Sequence, residues 1–221
     1  MTAYYCIVDV CGTLVKDDTT IGLLRWHFAR HRHWRLWLLN CLTARWSPLR
    51  LLVASMEKVT GRHLLKHGLV RLLNGDSIAE VQESASGYAD WLLSHRRVEH
   101  VTTLLEGSKA RDEGLVLASA SLEPIVAALA SRLGARFVAS ALASSQGRHL
   151  GRYAHDLTGQ KLVALDELLT KDWRQNASLA ISDNLTDRAL LASVRQAYVV
   201  VHSPRHRARW GDFRAEYLPA C

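Results

Sequence analysis

A chain of 221 residues is long enough for one ordinary domain, or one domain carrying a modest insertion. Its 48% hydrophobic and 22% charged residues exclude global disorder, and only 4 Pro and 13 Gly exclude collagen-like and linker-like chains. The net charge of +7 favours anionic partners, without choosing among phosphorylated metabolites, nucleic acid and an acidic membrane surface.

Residues 4–10 (Tyr-Tyr-Cys-Ile-Val-Asp-Val) form an apolar, β-branched run that ends in an acid and meets the turn pair Gly12-Thr13. Such a run predicts a strand buried in a parallel sheet. Asp9 then lies at the strand's carboxyl end, where open α/β sheets bind ligands. From Lys16 to Glu99 strand signals vanish, and Leu, Trp, Arg and His recur at helical spacing. Trp26, Arg30, Trp34, Trp37 and Leu38 are expected along one or two helix faces. Pro48 is expected to open a further helix, and Gly61, Gly68 and Gly75 to punctuate short ones. Asp76 or Ser77 is expected to cap a helix running to Leu93. His95 and His100 are expected to flank the hinge of this all-helical insertion, on a loop.

After Val101 the pattern alternates. Thr102 to Glu113 reads as a helix and Gly114 to Ala118 as a second strand, ending at Ser119-Ala120-Ser121. A helix from Pro124 to Leu133 closes at Gly134. Arg136 to Ser140 is a third strand, and Gln146 to Asp156 an excursion holding a short hairpin. A helix from Gln160 to Leu169 leads to a fourth strand, Ser178 to Ser182. Asp183-Asn184 and a helix through Val194 follow, then a fifth strand, Ala197 to Val201, and a last helix opened by Pro204. Strands alternating with helices imply a doubly wound parallel α/β sheet with right-handed crossovers. No window holds the ~18 uncharged apolar residues of a membrane-spanning helix. No signal peptide is read at the N-terminus, because Asp9 interrupts the first apolar run. Cys6, Cys11, Cys41 and Cys221 form no CxxC pair and read as free thiols in a reducing compartment, with a cytoplasmic location expected.

Polar residues gather at the predicted strand ends: Asp9, Ser119 and Asp183, with Lys161 at the start of the helix before the fourth strand. In a parallel sheet those carboxyl ends share one edge. Two close carboxylates repel unless a cation lies between them, which implies a hard divalent ion such as Mg2+. A lysine then balances an anionic ligand. A carboxylate nucleophile, a metal and donors around phosphoryl oxygens suit phosphoryl transfer. Taken singly, Thr13, Ser119 and Asp187 read as turn or cap residues, and Lys161 as a solvated helix lysine.

Four pieces in order resemble the haloacid dehalogenase superfamily, in its phosphoserine-phosphatase-like branch. Asp9-Val-Cys-Gly-Thr13-Leu resembles the first motif, DxDGT. Leu117-Ala-Ser119-Ala-Ser121 resembles the second, Gly159-Gln-Lys161 the third, and Ser182-Asp183-Asn184-Leu-Thr-Asp187 the fourth. The resemblance covers the whole chain. It implies a Rossmann-like core at residues 1–15 and 100–221 and an inserted helical cap of the first type at 16–99. It further implies that Asp9 forms an aspartyl-phosphate. Asp9, the backbone carbonyl of Cys11, and Asp183 would ligate Mg2+. Ser119 and the amide of Ala120 would hold phosphoryl oxygens, with Thr13 orienting the first loop beside the phosphate. Lys161 would pair with Asp9 and phosphate, and Asp187, with Asn184, would support the metal loop.

The departure is Cys11, where the family's phosphatases usually carry a second Asp that protonates the leaving oxygen and then activates water. A thiol with a reference pKa near ~8.5 is a poor replacement, and general acid–base help typically contributes ~10²–10⁴-fold. The expectation is a slow phosphomonoesterase, one helped by substrate or solvent, or an altered reaction. The alternatives are a catalytically idle module that binds a phosphorylated ligand or docks on a membrane, and a phosphotransferase. Residues 25–50 interleave Trp26, Trp34, Trp37 and Trp46 with Arg30, Arg32, Arg35, Arg45, His27, His31 and His33. The favoured reading is a Trp-rich cap core with a solvated basic face. Peripheral contact with an anionic membrane comes second and nucleic acid last. The expected partner is a phosphorylated small molecule.

Overall fold

The computed structural model of the protein describes residues 4–44, 47, 64–169 and 172–220. Its centre is β1 (Tyr5–Val8), whose side chains alternate between two apolar clusters. Cys6 and Val8 enter one and Tyr5 and Ile7 the other, so all four are buried. Burying an aliphatic side chain of this size contributes about 1.5–3 kcal/mol, so the short strand is held from both faces. The remaining strands are β2 (Gly114–Leu122), β3 (Arg136–Ser145), β4 (Arg148–His155), β5 (Ala177–Ser182), β6 (Gln196–Val201) and β7 (Glu216–Pro219). They form a seven-stranded sheet in the order β4-β3-β2-β1-β5-β6-β7. Only the β3–β4 pairing is antiparallel.

The expected mixed α/β sheet is therefore present, and its five parallel strands lie where the apolar runs place them. Two features differ. The third strand runs on to Ser145, and Gln146 and Gly147, with φ of 49° and 75°, turn it directly into β4. Two central residues in the left-handed region match the twist of a two-residue hairpin. The edge strand β7 has no expected counterpart. It is four residues long and ends in Pro219, which only an edge tolerates.

Among the described residues, 16–99 hold no strand longer than an isolated bridge, and carry α1 (Thr19–His31), α2 (His33–Thr43), α3 (Leu64–Arg71) and α4 (Ile78–His95). The helices packed around the sheet are α5 (Glu99–Ala110), α6 (Glu123–Leu133), α7 (Lys161–Leu168), α8 (Trp173–Asn176), α9 (Arg188–Ala192) and α10 (Pro204–Ala208). Leu23, Leu24 and Phe28 of α1 and Val81, Ala85 and Leu92 of α4 share one apolar cluster with Val8, Leu117 and Ile181 of the sheet. The helical region is thus continuous with one face of the sheet. The hairpin fastens it further: the Gly75 N–H donates to the His149 carbonyl at 2.8 Å, and the His149 N–H to the Asp76 carbonyl at 2.9 Å.

Several helical expectations are corrected. Of the two cap candidates, Ser77 holds the N-cap position of α4, with no side-chain cap hydrogen bond; Asp76 is buried and takes the Arg35 guanidinium at 2.8 Å, with Arg32 Nε at 3.6 Å and His27 Nε2 at 3.4 Å. His95 is the last residue of α4 and His100 the second of α5, so they flank the connection at 96–98 but sit on helices and not on the loop. The chain after Asp183 makes a 3-10 turn, Leu185–Asp187, before the short α9. Trp26 packs on Tyr88 and Trp91 with Arg30 over its ring, as a Trp-rich core requires. Trp34 and Trp37 instead stand in solvent. Arg25, Arg32 and Arg35 turn toward Thr43 and Asp76, which lends no support to a basic face laid on a membrane. Arg45, Trp46, Pro48, Arg50, Gly61 and Cys221 lie outside the described residues.

Candidate active site

The sheet order changes direction between β1 and β5. The chain builds β2, β3 and β4 on one side of β1, then crosses to β5, β6 and β7 on the other. A crevice opens outside the carboxyl ends of the strands at such a switch point. Asp9 follows β1 there, its N–H donating to the Ile181 carbonyl of β5 at 2.9 Å. Asp183 follows β5, and Ser119 lies in the last turns of β2.

These residues line one cavity of about 360 Å³. Asp9, Cys11, Ser119, Ala120, Ser121, Lys161, Asp183 and Asn184 form its floor, and Asp18, Thr20, Ile21, Leu65, Lys66 and Leu69 of the helical region its roof. Seven of the nine residues singled out from the sequence line this space, and an eighth, Asp187, stands behind Lys161. Lys161 Nζ stands 3.0 Å from Asp9 and 2.6 Å from Asp187, and Ser182 Oγ donates to Asp187 at 2.6 Å. Asp187 thus holds the lysine from behind while Asp9 faces the cavity. The ninth, Thr13, does not line the cavity. It is fully buried, accepts the Asp183 N–H at 2.9 Å and donates to the Asp183 carboxylate at 3.2 Å, so it braces that acid instead of meeting a phosphoryl oxygen. Gly12 is required beside it: φ is +72°, and a Cβ would lie 2.3 Å from Asp183 Oδ2.

The charges do not balance. Burial pushes the Asp9 carboxyl above its ordinary range; Lys161 opposes this, while Asp187 and Asp183 add to it. Burial also opposes the Lys161 charge, but Asp9 and Asp187 outweigh it and hold the ammonium above the usual lysine value. One ammonium is shared by Asp9 and Asp187, and the charge of Asp183 also reaches Asp9, which leaves a buried negative excess. Such a site stabilises a cation. No group of three or more His, Cys, Asp or Glu side chains among the described residues is placed to hold a metal. The donor set that fits is smaller: two carboxylates, Asp9 and Asp183, with a backbone carbonyl. Hard oxygen donors with room for water suit Mg2+, which keeps several waters when bound.

Sequence reasoning missed two histidines. His202 Nε2 lies 2.9 Å from Asp183 Oδ2, and His206 Nε2 lies 2.9 Å from the Asp183 carbonyl, the two rings stacked 5.4 Å apart. Their signal was positional: they follow the last residue of β6, on the same sheet edge as Asp9 and Asp183. Asp18 was missed as well. It caps α1 by accepting the Ile21 N–H at 3.0 Å, and it faces the cavity. Cys11 is half-buried on the cavity floor. Burial raises its thiol, and the Asp18 and Asp9 charges raise it further, so it stays protonated.

Solved structures share this architecture. A protein of unknown function from Bordetella pertussis Tohama I matches with a TM-score of 0.71 at 15% identity, over 100% of both chains. A phosphoserine phosphatase solved as a phospho-aspartyl intermediate analogue matches at 0.60 and 14% identity, over 100% of this chain and 95% of its own. A cytosolic 5'-nucleotidase IIIB bound to cytidine matches at 0.65 and 13% identity, over 97% of this chain and 79% of its own. No curated protein matches the chain. The family model for haloacid dehalogenase-like hydrolases matches residues 6–192, which span the cavity floor from Asp9 to Asn184. The chain therefore belongs to the haloacid dehalogenase-like hydrolase family.

Proposed function

We propose that the protein is a Mg2+-dependent phosphatase that hydrolyses a small phosphomonoester through a phosphorylated Asp9. The observation that carries this reading is the buried Asp9 carboxylate at the switch point, 3.0 Å from Lys161, on the floor of a cavity that also holds Ser119 and Asp183. Neighbours of the same fold that are named phosphoserine phosphatase and 5'-nucleotidase support a phosphomonoester as the substrate class.

In this reading an Asp9 oxygen attacks phosphorus in line with the leaving alcohol oxygen, and water later cleaves the acyl phosphate. Lys161 neutralises charge on Asp9 and on the phosphoryl group as it transfers. The Ser119 hydroxyl and the Ala120 amide donate to equatorial oxygens, where charge spreads in the transition state. Ser119 is preset for this: its oxygen accepts the Ser121 N–H at 3.3 Å, and its hydroxyl sits 3.1 Å from Ser121 Oγ, which Thr19 fixes in turn at 2.7 Å. Asp9, the Cys11 carbonyl and Asp183 would hold Mg2+, which supplies Lewis-acid charge neutralisation. Thr13, His202 and His206 keep Asp183 aimed at that set. The free thiols of Cys6, Cys11 and Cys41 fit a reducing compartment such as the cytoplasm.

Release of nitrophenol from p-nitrophenyl phosphate in the presence of Mg2+ tests the reading. The parent protein is expected to turn over, and Asp9→Asn to lose activity by roughly 10⁴-fold or more, as removal of a covalent nucleophile does. Equal rates in the two proteins would refute it.

A further inference from the structure

The reaction needs a proton for the leaving alcohol and a base for the water, and the residue two places after Asp9 is a cysteine. Among the described residues six titratable side chains line the cavity, and four of them are otherwise engaged. Asp9 is the nucleophile, and Lys161 is locked between Asp9 and Asp187. Asp183 is tied to Thr13 and His202. Lys66 pairs with Asp156 at 2.5 Å and donates to Thr158. Cys11 is half-buried on the cavity floor and offers a thiol where a carboxyl would be needed.

Asp18 remains. One of its oxygens caps α1 through the Ile21 N–H at 3.0 Å; among the described residues the carboxylate has no other hydrogen bond and no ion pair. It is exposed to the cavity it lines. Its neighbour Asp17, by contrast, is turned away to the Tyr88 hydroxyl at 3.2 Å and Arg96 at 3.8 Å. Asp18 and Cys11 line the same cavity.

We infer that Asp18 carries out the proton transfers for which position 11 has no carboxyl, a role that rests on the phosphatase reading of the site. In the first half-reaction the Asp18 carboxyl gives its proton to the alcohol oxygen as the P–O bond breaks and the bond from Asp9 to phosphorus forms. In the second, the Asp18 carboxylate takes a proton from water as the water oxygen bonds phosphorus and the Asp9–phosphorus bond breaks. Inorganic phosphate leaves, and both acids return to their starting states.

The test is Asp18→Asn, assayed with p-nitrophenyl phosphate and Mg2+ beside the parent and Asp9→Asn. Asn caps a helix about as well as Asp, so α1 is preserved; an unchanged melting temperature checks this. Nitrophenolate departs without a proton, so Asp18→Asn is expected to keep a first-turnover burst near one equivalent per enzyme. Steady-state turnover is expected to fall by about 10²–10⁴-fold, with phosphorylated protein accumulating in mass spectra. Adding Cys11→Asp to Asp18→Asn is expected to restore part of the turnover. Parental turnover in Asp18→Asn, as a role confined to recognising the leaving group would give, overturns the inference. Loss of burst and turnover together overturns it as well, because that marks a role in positioning. A parent protein no faster than Asp9→Asn would instead bring down the phosphatase reading beneath it.

Discussion

Two buried clusters in this protein each place an aspartate among cations, and they resolve their charge in opposite directions. Around Asp9, two acids share one ammonium with a third acid nearby, and the carboxyl is pushed up by burial and by its acidic neighbours. Around Asp76, one acid is met by Arg35, Arg32 and His27. Burial opposes its charge there too, but the His27 contact and the arginines win and hold the carboxyl below its ordinary range. The first cluster lies at the crevice and keeps an unmet demand for positive charge. The second lies between α1, α2 and the start of α4, and its demand is satisfied within the protein. A buried charge left unbalanced is a functional feature; a balanced one holds elements together.

The comparison is broken most severely at Lys161. Lys161→Met removes the ammonium shared by Asp9 and Asp187 and leaves buried acids uncompensated. Turnover is expected to fall by about 10²–10³-fold, and stability by about 3–5 kcal/mol; steady-state assays and denaturant titration measure the two losses. A weaker break comes at the second cluster. Asp76→Asn keeps the shape but removes the charge that Arg35 and Arg32 face. A loss of about 1.5–3 kcal/mol is expected, with turnover of the folded protein unchanged. If Asp76→Asn instead reduced turnover while leaving stability intact, the two clusters would not divide as described.

The smallest effect is in pH. A carboxyl whose folded value lies below its ordinary one contributes stability that is complete above the unfolded value, near ~3.9. That contribution is lost as pH falls through the lower, folded value. The stability difference between the parent and Asp76→Asn should therefore stay flat from neutral pH to about pH 5, then shrink below ~3.9. Thermal melts across that range check the sign.

Much of the site was legible because its residues stand at the ends of strongly apolar strands. Once β1, β2 and β5 are read as parallel, Asp9, Ser119 and Asp183 must share an edge, and their convergence follows from topology. His202 and His206 obey the same rule but were hidden by a short helix whose only local signal was Pro204. Asp76 was one of two cap candidates beside Ser77, which takes the N-cap position, because an acid before an apolar helical run looks like a cap. Its partners His27, Arg32 and Arg35 lie more than forty residues away on α1 and at the start of α2, and no local pattern announces such a contact. The edge strand β7 is too short to show an alternation.

Periodicity and strand-end chemistry in the chain alone determined the parallel α/β core, the helical stretch inserted after β1, and an acid–lysine–hydroxyl set at one sheet edge. Those are consequences of local burial patterns, which repeat every two or about 3.6 residues and are written in consecutive residues. Only the tertiary structure decided that Thr13 braces Asp183, that two histidines stand behind it, that Asp76 ties helices together, and that Asp18 opens onto the cavity beside Cys11. Those depend on which side chains meet across the fold, and the free energy of a charge is set by the groups around it, not by its neighbours along the chain.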